Sequence, residues 1–163
     1  MKPTLIFGYG NFDREDDGVA WHILLSLAKR LGQPFPETPE EELPEYKQYP
    51  HFMFDLQLYP ELAETIAQYQ RVVFVDAHTG IVPNDLNIAE VSAQFQKSPL
   101  THHMTPATVL EFSKALYHAE PETILVSVKG YQFGFSRNLS EETSALANQA
   151  VDYIESWLNH EAR

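Results

Sequence analysis

An acidic segment near the start of the chain carries the first residues that could do chemistry. It runs from Gly8 to Gly18, and its four acids are Asp13, Glu15, Asp16 and Asp17. A dinucleotide-binding loop would need glycine at the position of Asp13, and four carboxylates would repel a pyrophosphate. The dipole of a following helix explains one or two acids but not four. We therefore predict a functional role for this segment.

Two other positions could supply ligands to the same site. Asp76 follows an unbroken apolar run and is expected at the carboxyl end of a buried strand, where parallel sheets bind ligands. His102 and His103 precede a helix-start signal of threonine and proline, and the positive helix end favours neutral imidazole, the form that binds metal. The ordinary structural alternatives are a turn at Asp76 and a surface position for the histidines. Carboxylate and imidazole together suit zinc, nickel, cobalt or manganese.

The composition excludes several function classes. The chain has 11 basic and 23 acidic residues, and its net charge of −12 argues against nucleic acids and membrane surfaces as partners. It has no cysteine, which excludes disulfides, iron–sulfur clusters and cysteine nucleophiles. Ser136 lacks the flanking glycine of a nucleophile elbow, and no His-Glu-x-x-His motif occurs. No segment has the apolar length of a signal-peptide core or a membrane span, so we expect a cytoplasmic protein.

Strands that alternate with helices must position these residues. Short apolar runs predict strands, whereas apolar residues at helical spacing and capping residues predict helices. The predicted strands cover residues 4–7, 51–54, 71–76, 86–91 and 124–128. One predicted helix ends at Leu31 before Gly32, and the others begin at Pro60, at Pro106 and after Ser140. This alternation predicts an α/β domain with a mainly parallel sheet.

The whole chain, residues 1–163, is expected to form one domain, because its length suits a single core. Residues 34–50 contain five prolines and five glutamates, which predicts a crossover loop without helix or strand. We expect this loop to begin far from the crevice, to be peripheral and to add little to the core. The alternative is that its negative charge guides a basic region of a partner.

Four motifs occur in order between residues 4 and 155. They are Gly8-Tyr9-Gly10-Asn11 with Asp16-Asp17-Gly18, Gln57-Leu58-x-Pro60-Glu61-Leu62-Ala63, Val73-Phe74-Val75-Asp76-Ala77, and His102-His103-Met104-Thr105-Pro106. In this order and at these separations they resemble the hydrogenase maturation protease family. The resemblance implies a three-layer α/β/α sandwich around a five-stranded, mainly parallel sheet.

The resemblance also implies an endopeptidase, an aspartyl-type protease, that removes the C-terminal extension from the large-subunit precursor of a nickel–iron hydrogenase. Asp17, Asp76 and His102 would be the catalytic and nickel-binding residues, with His103 as the competing choice. The precursor would carry the nickel, and cadmium or zinc could replace it. Either the metal or a carboxylate beside it would activate water. We expect the protein to act as a monomer.

Two other functions are compatible with the same residues. A metal-dependent binding module would inspect or chaperone the precursor without cutting it, and a nucleotide-binding domain is disfavoured by the acids of the first segment. The sequence also departs from the family pattern in two places. Relatives often have glutamate at the position of Asp17, and a glycine closer to the last helix than Gly134. The second difference affects the loop that would meet a substrate.

Overall fold

Five strands form one sheet in the computed structural model, which describes residues 1–94 and 104–160. The strands are β1 (Thr4–Tyr9), β2 (His51–Asp55), β3 (Arg71–His78), β4 (Leu86–Glu90) and β5 (Glu122–Lys129). Their order is β2-β1-β3-β5-β4, in which β4 runs antiparallel to β5 and the other neighbours are parallel. The predicted strands and the mainly parallel sheet are confirmed.

Helices cover both faces of this sheet. They are α1 (Val19–Arg30), α2 (Leu62–Ile66), α3 (Pro106–Tyr117) and α4 (Glu141–Asn159). α1 and α4 share a hydrophobic cluster with Ile6 and Val73 on one face. α2 and α3 share a second cluster with Phe7 and Phe74 on the other face. The three-layer α/β/α sandwich is therefore confirmed.

The strands β1 and β3 are buried on both faces, which explains why their sequences are unbroken apolar runs. The register places Ile6 beside Val73 and Phe7 beside Phe74. Side chains alternate between the faces along each strand, so each of these pairs joins a different cluster. The same alternation decides which face receives the polar residues at the carboxyl ends of these strands.

Capping residues set where two of the helices begin. The Thr105 side chain accepts a hydrogen bond from the Thr108 amide at the start of α3, and Ser140 accepts one from the Thr143 amide at the start of α4. The helix α2 begins two residues after the proline at which it was predicted to start. None of the helices in the described part of the chain is both long and apolar enough to cross a membrane.

Residues 34–50 link α1 to β2 without a helix or strand, as predicted. The expectation that this crossover loop adds little to the core is wrong. The ring of Phe35 packs on Trp21, with centroids 4.8 Å apart, and on Phe52 at 5.8 Å. Tyr46 packs on Phe52 as well, at 5.5 Å. The two aromatic residues tie this polar loop to the cluster between α1, α4 and the sheet.

The middle of the crossover loop also returns to the carboxyl edge of the sheet. Glu40 forms an ion pair with Arg137, and Arg137 pairs with Asp13 of the acidic segment, with 2.7 Å between Nε and Oδ1. The loop therefore begins far from the predicted crevice but does not stay there. The expectation of a wholly peripheral loop is wrong for this reason too.

We expect replacement of Phe35 by alanine to lower the free energy of unfolding by about 1–3 kcal/mol, because a half-buried ring leaves the Trp21–Phe52 cluster. Chemical denaturation measures this loss. The exposed Glu42 of the same loop provides the control, since its replacement by alanine should change stability by less than about 0.5 kcal/mol. Equal midpoints for both variants would show that the loop is peripheral after all.

Candidate functional site

Asp76 lies near the carboxyl end of β3, inside the strand rather than directly after it, because β3 continues to His78. It follows Phe74 by two residues, and therefore projects to the face covered by α2 and α3. The carboxyl ends of β1, β2 and β3 meet at this edge of the parallel sheet, where ligands bind in such folds. The expected position of Asp76 at the carboxyl end of a buried strand is confirmed.

A cleft of about 660 Å³ opens at this edge. Its walls come from the end of β1, the acidic segment, the connection between β2 and α2, β3, and the start of α3. The lining residues are Tyr9, Gly10, Asp17, Leu56, Gln57, Leu58, Tyr59, Pro60, Asp76, Met104, Thr105 and Pro106. The fold thus brings Asp17 and Asp76, which are 59 positions apart in the sequence, into one cleft.

Asp17 reaches the cleft from a 3₁₀ turn over Glu15–Gly18 that precedes α1. Its Oδ2 accepts a hydrogen bond from the Asn11 amide at 2.8 Å. Gly10 has φ +142°, and a Cβ there would collide with the carbonyl oxygen of Asp17. Only glycine lets the chain after β1 pass this close to the turn, so the glycine and the carboxylate form one local structure.

The Asp76 carboxylate is recessed in the cleft. Its Oδ1 accepts a hydrogen bond from the Ala77 amide at 2.7 Å, and its carboxylate also accepts one from the Tyr9 hydroxyl. Burial and the nearby negative charge of Asp17 raise the pKa of Asp76 to about 7, although the two hydrogen bonds act in the opposite direction. Two carboxylates that resist joint ionisation are suited to sharing a cation.

Histidines are the second type of predicted ligand. His102 and His103 lie outside the described residues, whereas Met104 and Thr105, which follow them, line the cleft. Among the described histidines, His78 is on the same strand as Asp76. Its Nδ1 accepts from the Gly80 amide, and its Nε2 donates to the Asp85 carbonyl. Both ring nitrogens of His78 are therefore occupied within its own loop.

The described residues hold no group of three or more side chains that could bind a metal ion. What they hold is the pair Asp17 and Asp76, with Tyr9 beside it. Two carboxylates supply oxygen ligands for a divalent cation but leave most of its coordination positions open. A metal ion at this site would therefore need further ligands from elsewhere.

The other acids of the segment have a different role from the one that the sequence predicted. Asp16 is buried, and its carboxylate accepts hydrogen bonds from the amides of Tyr131, Gln132 and Ser140 and from the Ser140 hydroxyl, all between 2.7 and 2.9 Å. Burial acts to raise the pKa of Asp16, but these hydrogen bonds lower it below its ordinary value. Asp16 therefore fastens the loop between β5 and α4 to the acidic segment.

Two more residues of the segment hold the same loop. Glu15 accepts a hydrogen bond from the Gly134 amide at 2.8 Å, and the Arg14 guanidinium donates to the carbonyls of Phe133 and Gly134. A Cβ at Gly134 would collide with the Glu15 carboxylate. The position of Gly134, which departs from the family pattern, thus serves this contact in the present chain.

No family model matches this chain, and no curated protein sequence matches it significantly. Solved structures do share its fold. One is the NiFe hydrogenase maturation protease HycI from Thermococcus kodakarensis, with 20% identity, coverage of 98% of this chain and 94% of that chain, and a TM-score of 0.66. Another is the hydrogenase maturating endopeptidase HybD from E. coli, with 17% identity, coverage of 96% and 92%, and a TM-score of 0.68.

A third similar structure is the hydrogenase 2 maturation peptidase from a Thaumarchaeota archaeon. It has 20% identity, a TM-score of 0.62, and coverage of 98% of this chain and 100% of that chain. These comparisons extend over nearly the full length of both proteins in each case. They establish that the α/β/α fold is the one seen in solved hydrogenase maturation proteases.

Replacement of Asp16 by asparagine should lower the free energy of unfolding by about 2–4 kcal/mol, because a buried charged acceptor is lost and an amide NH₂ is placed among N–H donors. A depressed carboxyl pKa contributes stability above the pKa of the unfolded chain, and this stability disappears as the pH falls. The loss should therefore be full at pH 7 and smaller near pH 3. Denaturant titrations at both pH values measure it.

The matched control for Asp16 is Asp13→Asn in the same segment. Asp13 is exposed and forms an ion pair with Arg137, so this change should lower stability by no more than about 1 kcal/mol. Similar losses for the two variants would contradict the role given to Asp16.

Replacement of Asp76 by asparagine should have the opposite effect on the pH profile of stability. The folded pKa of about 7 lies above the unfolded value, so the acid stabilises the folded state at low pH and loses this effect as the pH rises through about 7. The stability of Asp76→Asn relative to wild type should grow by about 1–3 kcal/mol between pH 4 and pH 8. Thermal or chemical denaturation in the presence of a chelator measures this difference.

Asp17 supplies part of the effect on Asp76 through its charge. The gain in relative stability with pH should therefore be smaller when Asp76→Asn is introduced into the Asp17→Asn variant than when it is introduced into wild type. If the difference in unfolding free energy between Asp76→Asn and wild type stays constant from pH 4 to pH 8, the pKa of Asp76 is not raised in the folded state.

Proposed function

We propose that the protein is an endopeptidase that removes the C-terminal extension of a nickel–iron hydrogenase large-subunit precursor after nickel insertion. The observation that carries this proposal is the meeting of Asp17 and Asp76 in one cleft. The cleft lies in a fold shared with solved proteins that are named hydrogenase maturation proteases. The substrate in this proposal brings the nickel, and the protein inspects it.

The roles of the residues follow from their donor atoms. Asp17 and Asp76 offer carboxylate oxygens to the substrate-borne nickel, and His102 supplies an imidazole, with His103 as the competing ligand. Among the described residues that line the cleft, none is an arginine or lysine that could neutralise either carboxylate. The pair therefore favours a cation and disfavours the carboxylate or phosphate groups of other ligands. Free nickel alone should bind weakly, and cadmium or zinc could take its place.

The surroundings of the cleft fit a protein as substrate. Leu56, Ile81 and Phe135 are 60%, 90% and 87% exposed. They lie on the loops that follow β2, β3 and β5, all at the carboxyl edge of the sheet. Apolar side chains left exposed on three loops of one edge are compatible with contact to a macromolecular substrate there. A small substrate would need no such surface around the cleft.

Intact-mass spectrometry tests the proposal directly. A nickel-loaded large-subunit precursor is incubated with the protein, and we expect loss of its C-terminal fragment, whereas nickel-free precursor stays intact. Asp17→Asn and Asp76→Asn should each slow cleavage by at least about 100-fold while the far-ultraviolet spectrum is unchanged. The control is Asp152→Asn on α4, which removes an exposed carboxylate paired with Arg30 and should cleave at the wild-type rate.

Two outcomes would redirect the proposal. If the precursor stays intact but forms a nickel-dependent complex with the protein, the function is that of a binding or chaperone module. If wild type and the Asp76→Asn variant cleave equally fast, the cleft is not the active site. Alanine replacements of His102 and His103, compared side by side, identify which histidine completes the site.

A further inference from the structure

Tyr9 occupies a special place at the end of β1. The parallel register pairs Gly8 with Val75, so the next residues along the two strands, Tyr9 and Asp76, lie side by side at the carboxyl edge. Two positions earlier, Phe7 and Phe74 also lie side by side and project toward α2 and α3. Because strand side chains alternate between faces, Tyr9 and Asp76 project to that same face, into the cleft.

The two ends of the Tyr9 side chain have different surroundings. Its ring packs on Phe7, with centroids 6.2 Å apart, and against the apolar cluster beneath the cleft. Its hydroxyl lies within hydrogen-bonding reach of the Asp76 carboxylate. A phenol anchored in this way has a fixed ring and therefore a fixed hydroxyl position. Tyr9 is therefore placed where its hydroxyl could orient the Asp76 carboxylate.

The Asp76 carboxylate needs such a support. Its neighbour Asp17 carries the same charge and repels it. The Ala77 amide holds Oδ1 from within the same strand, but this local contact does not by itself prevent the carboxylate from turning away from Asp17. A donor on the adjacent strand, at the same height in the sheet, supplies the second point of attachment.

We propose that Tyr9 is a positioning residue that orients the Asp76 carboxylate so that Asp17 and Asp76 can bind one cation together. This inference rests on the proposed function, in which that cation is the nickel of the substrate. Tyr9 does not itself bind the metal in this scheme. Hydrogen-bond partners of metal ligands commonly affect metal affinity by about 10- to 100-fold, although they never touch the metal.

Replacement of Tyr9 by phenylalanine removes the hydroxyl and keeps the ring on Phe7. We expect the dissociation constant for Cd²⁺ alone, measured on the isolated protein by amide NMR titration, to rise by about 10-fold or more. NMR titration reports weak binding as well as tight binding. The amide proton of Ala77, which is bonded to Oδ1 of Asp76, should also shift before any metal is added, because the carboxylate reorients.

The matched control is Tyr69→Phe. Tyr69 is also half-buried and packs against the same apolar cluster. The replacement removes a hydroxyl that lies 2.8 Å from Nδ1 of His51. It does not line the cleft. This variant should leave both the Cd²⁺ affinity and the Ala77 amide proton unchanged, even where it costs as much stability as Tyr9→Phe. Equal effects of the two variants would overturn the inference.

Asp76→Asn separates a failure of this inference from a failure of the proposed function. If Asp76→Asn weakens Cd²⁺ binding and Tyr9→Phe does not, the role of Tyr9 is wrong and the metal site stands. If neither variant changes Cd²⁺ binding, the cleft is not a cation site, and both proposals fall. A weaker affinity in both variants, together with a shifted Ala77 amide in Tyr9→Phe, supports the positioning role.

Discussion

The structure at the carboxyl edge of the sheet, where the cleft opens, depends on the hydrogen bonds of the buried Asp16 carboxylate. This carboxylate has no direct contact with the cleft, yet it gathers the amides of Tyr131, Gln132 and Ser140 and the Ser140 hydroxyl around one negative charge. A buried charge is tolerated only when hydrogen bonds replace its lost water. Here that requirement locks the β5–α4 loop, the start of α4 and the acidic segment into one unit.

The position of Asp17 is a consequence of that unit. Asp16 and Asp17 are consecutive residues of a 3₁₀ turn, so their side chains leave the backbone in different directions. When Asp16 is held inward by the loop, Asp17 is directed to the cleft. The close approach of the Gly10 backbone to this turn removes the remaining freedom. The geometry of the site is thus supported in part by Asp16, a residue that does not line the cleft.

Placing Asp17 and Asp76 in one cleft is electrostatically unfavourable in the absence of a cation. Burial and mutual repulsion oppose full ionisation of Asp76, and the hydrogen bonds from Ala77 and Tyr9 offset only part of the cost. A bound cation would remove the repulsion and convert it into affinity. Sites of this kind are held in place by a rigid scaffold, and β1 and β3, buried on both faces, provide it.

Local physics explains why most of the fold could be predicted from the sequence. The apolar run before Asp76 is typical of a strand covered on both faces, and threonine–proline and serine signals mark helix starts through contacts within four residues. The crossover loop was correctly predicted to lack regular structure. Its core contacts were not predicted, because Phe35 and Tyr46 meet partners that are remote in the sequence or on another element.

For the candidate site, too, the sequence predicted some features and the tertiary structure decided the others. The sequence alone marked Asp17 and Asp76 as residues at the carboxyl edge, because strand ends and glycine turns are readable from local pattern and from resemblance. Local pattern could not separate Asp17 from Asp13, Glu15 and Asp16, since four acids in one short segment look alike until their partners are known, and only the family resemblance singled out Asp17. Only the tertiary structure supplied those partners, from a loop more than 110 residues away. The strand register, which sequence pattern does not encode, likewise decided that Tyr9 lies beside Asp76.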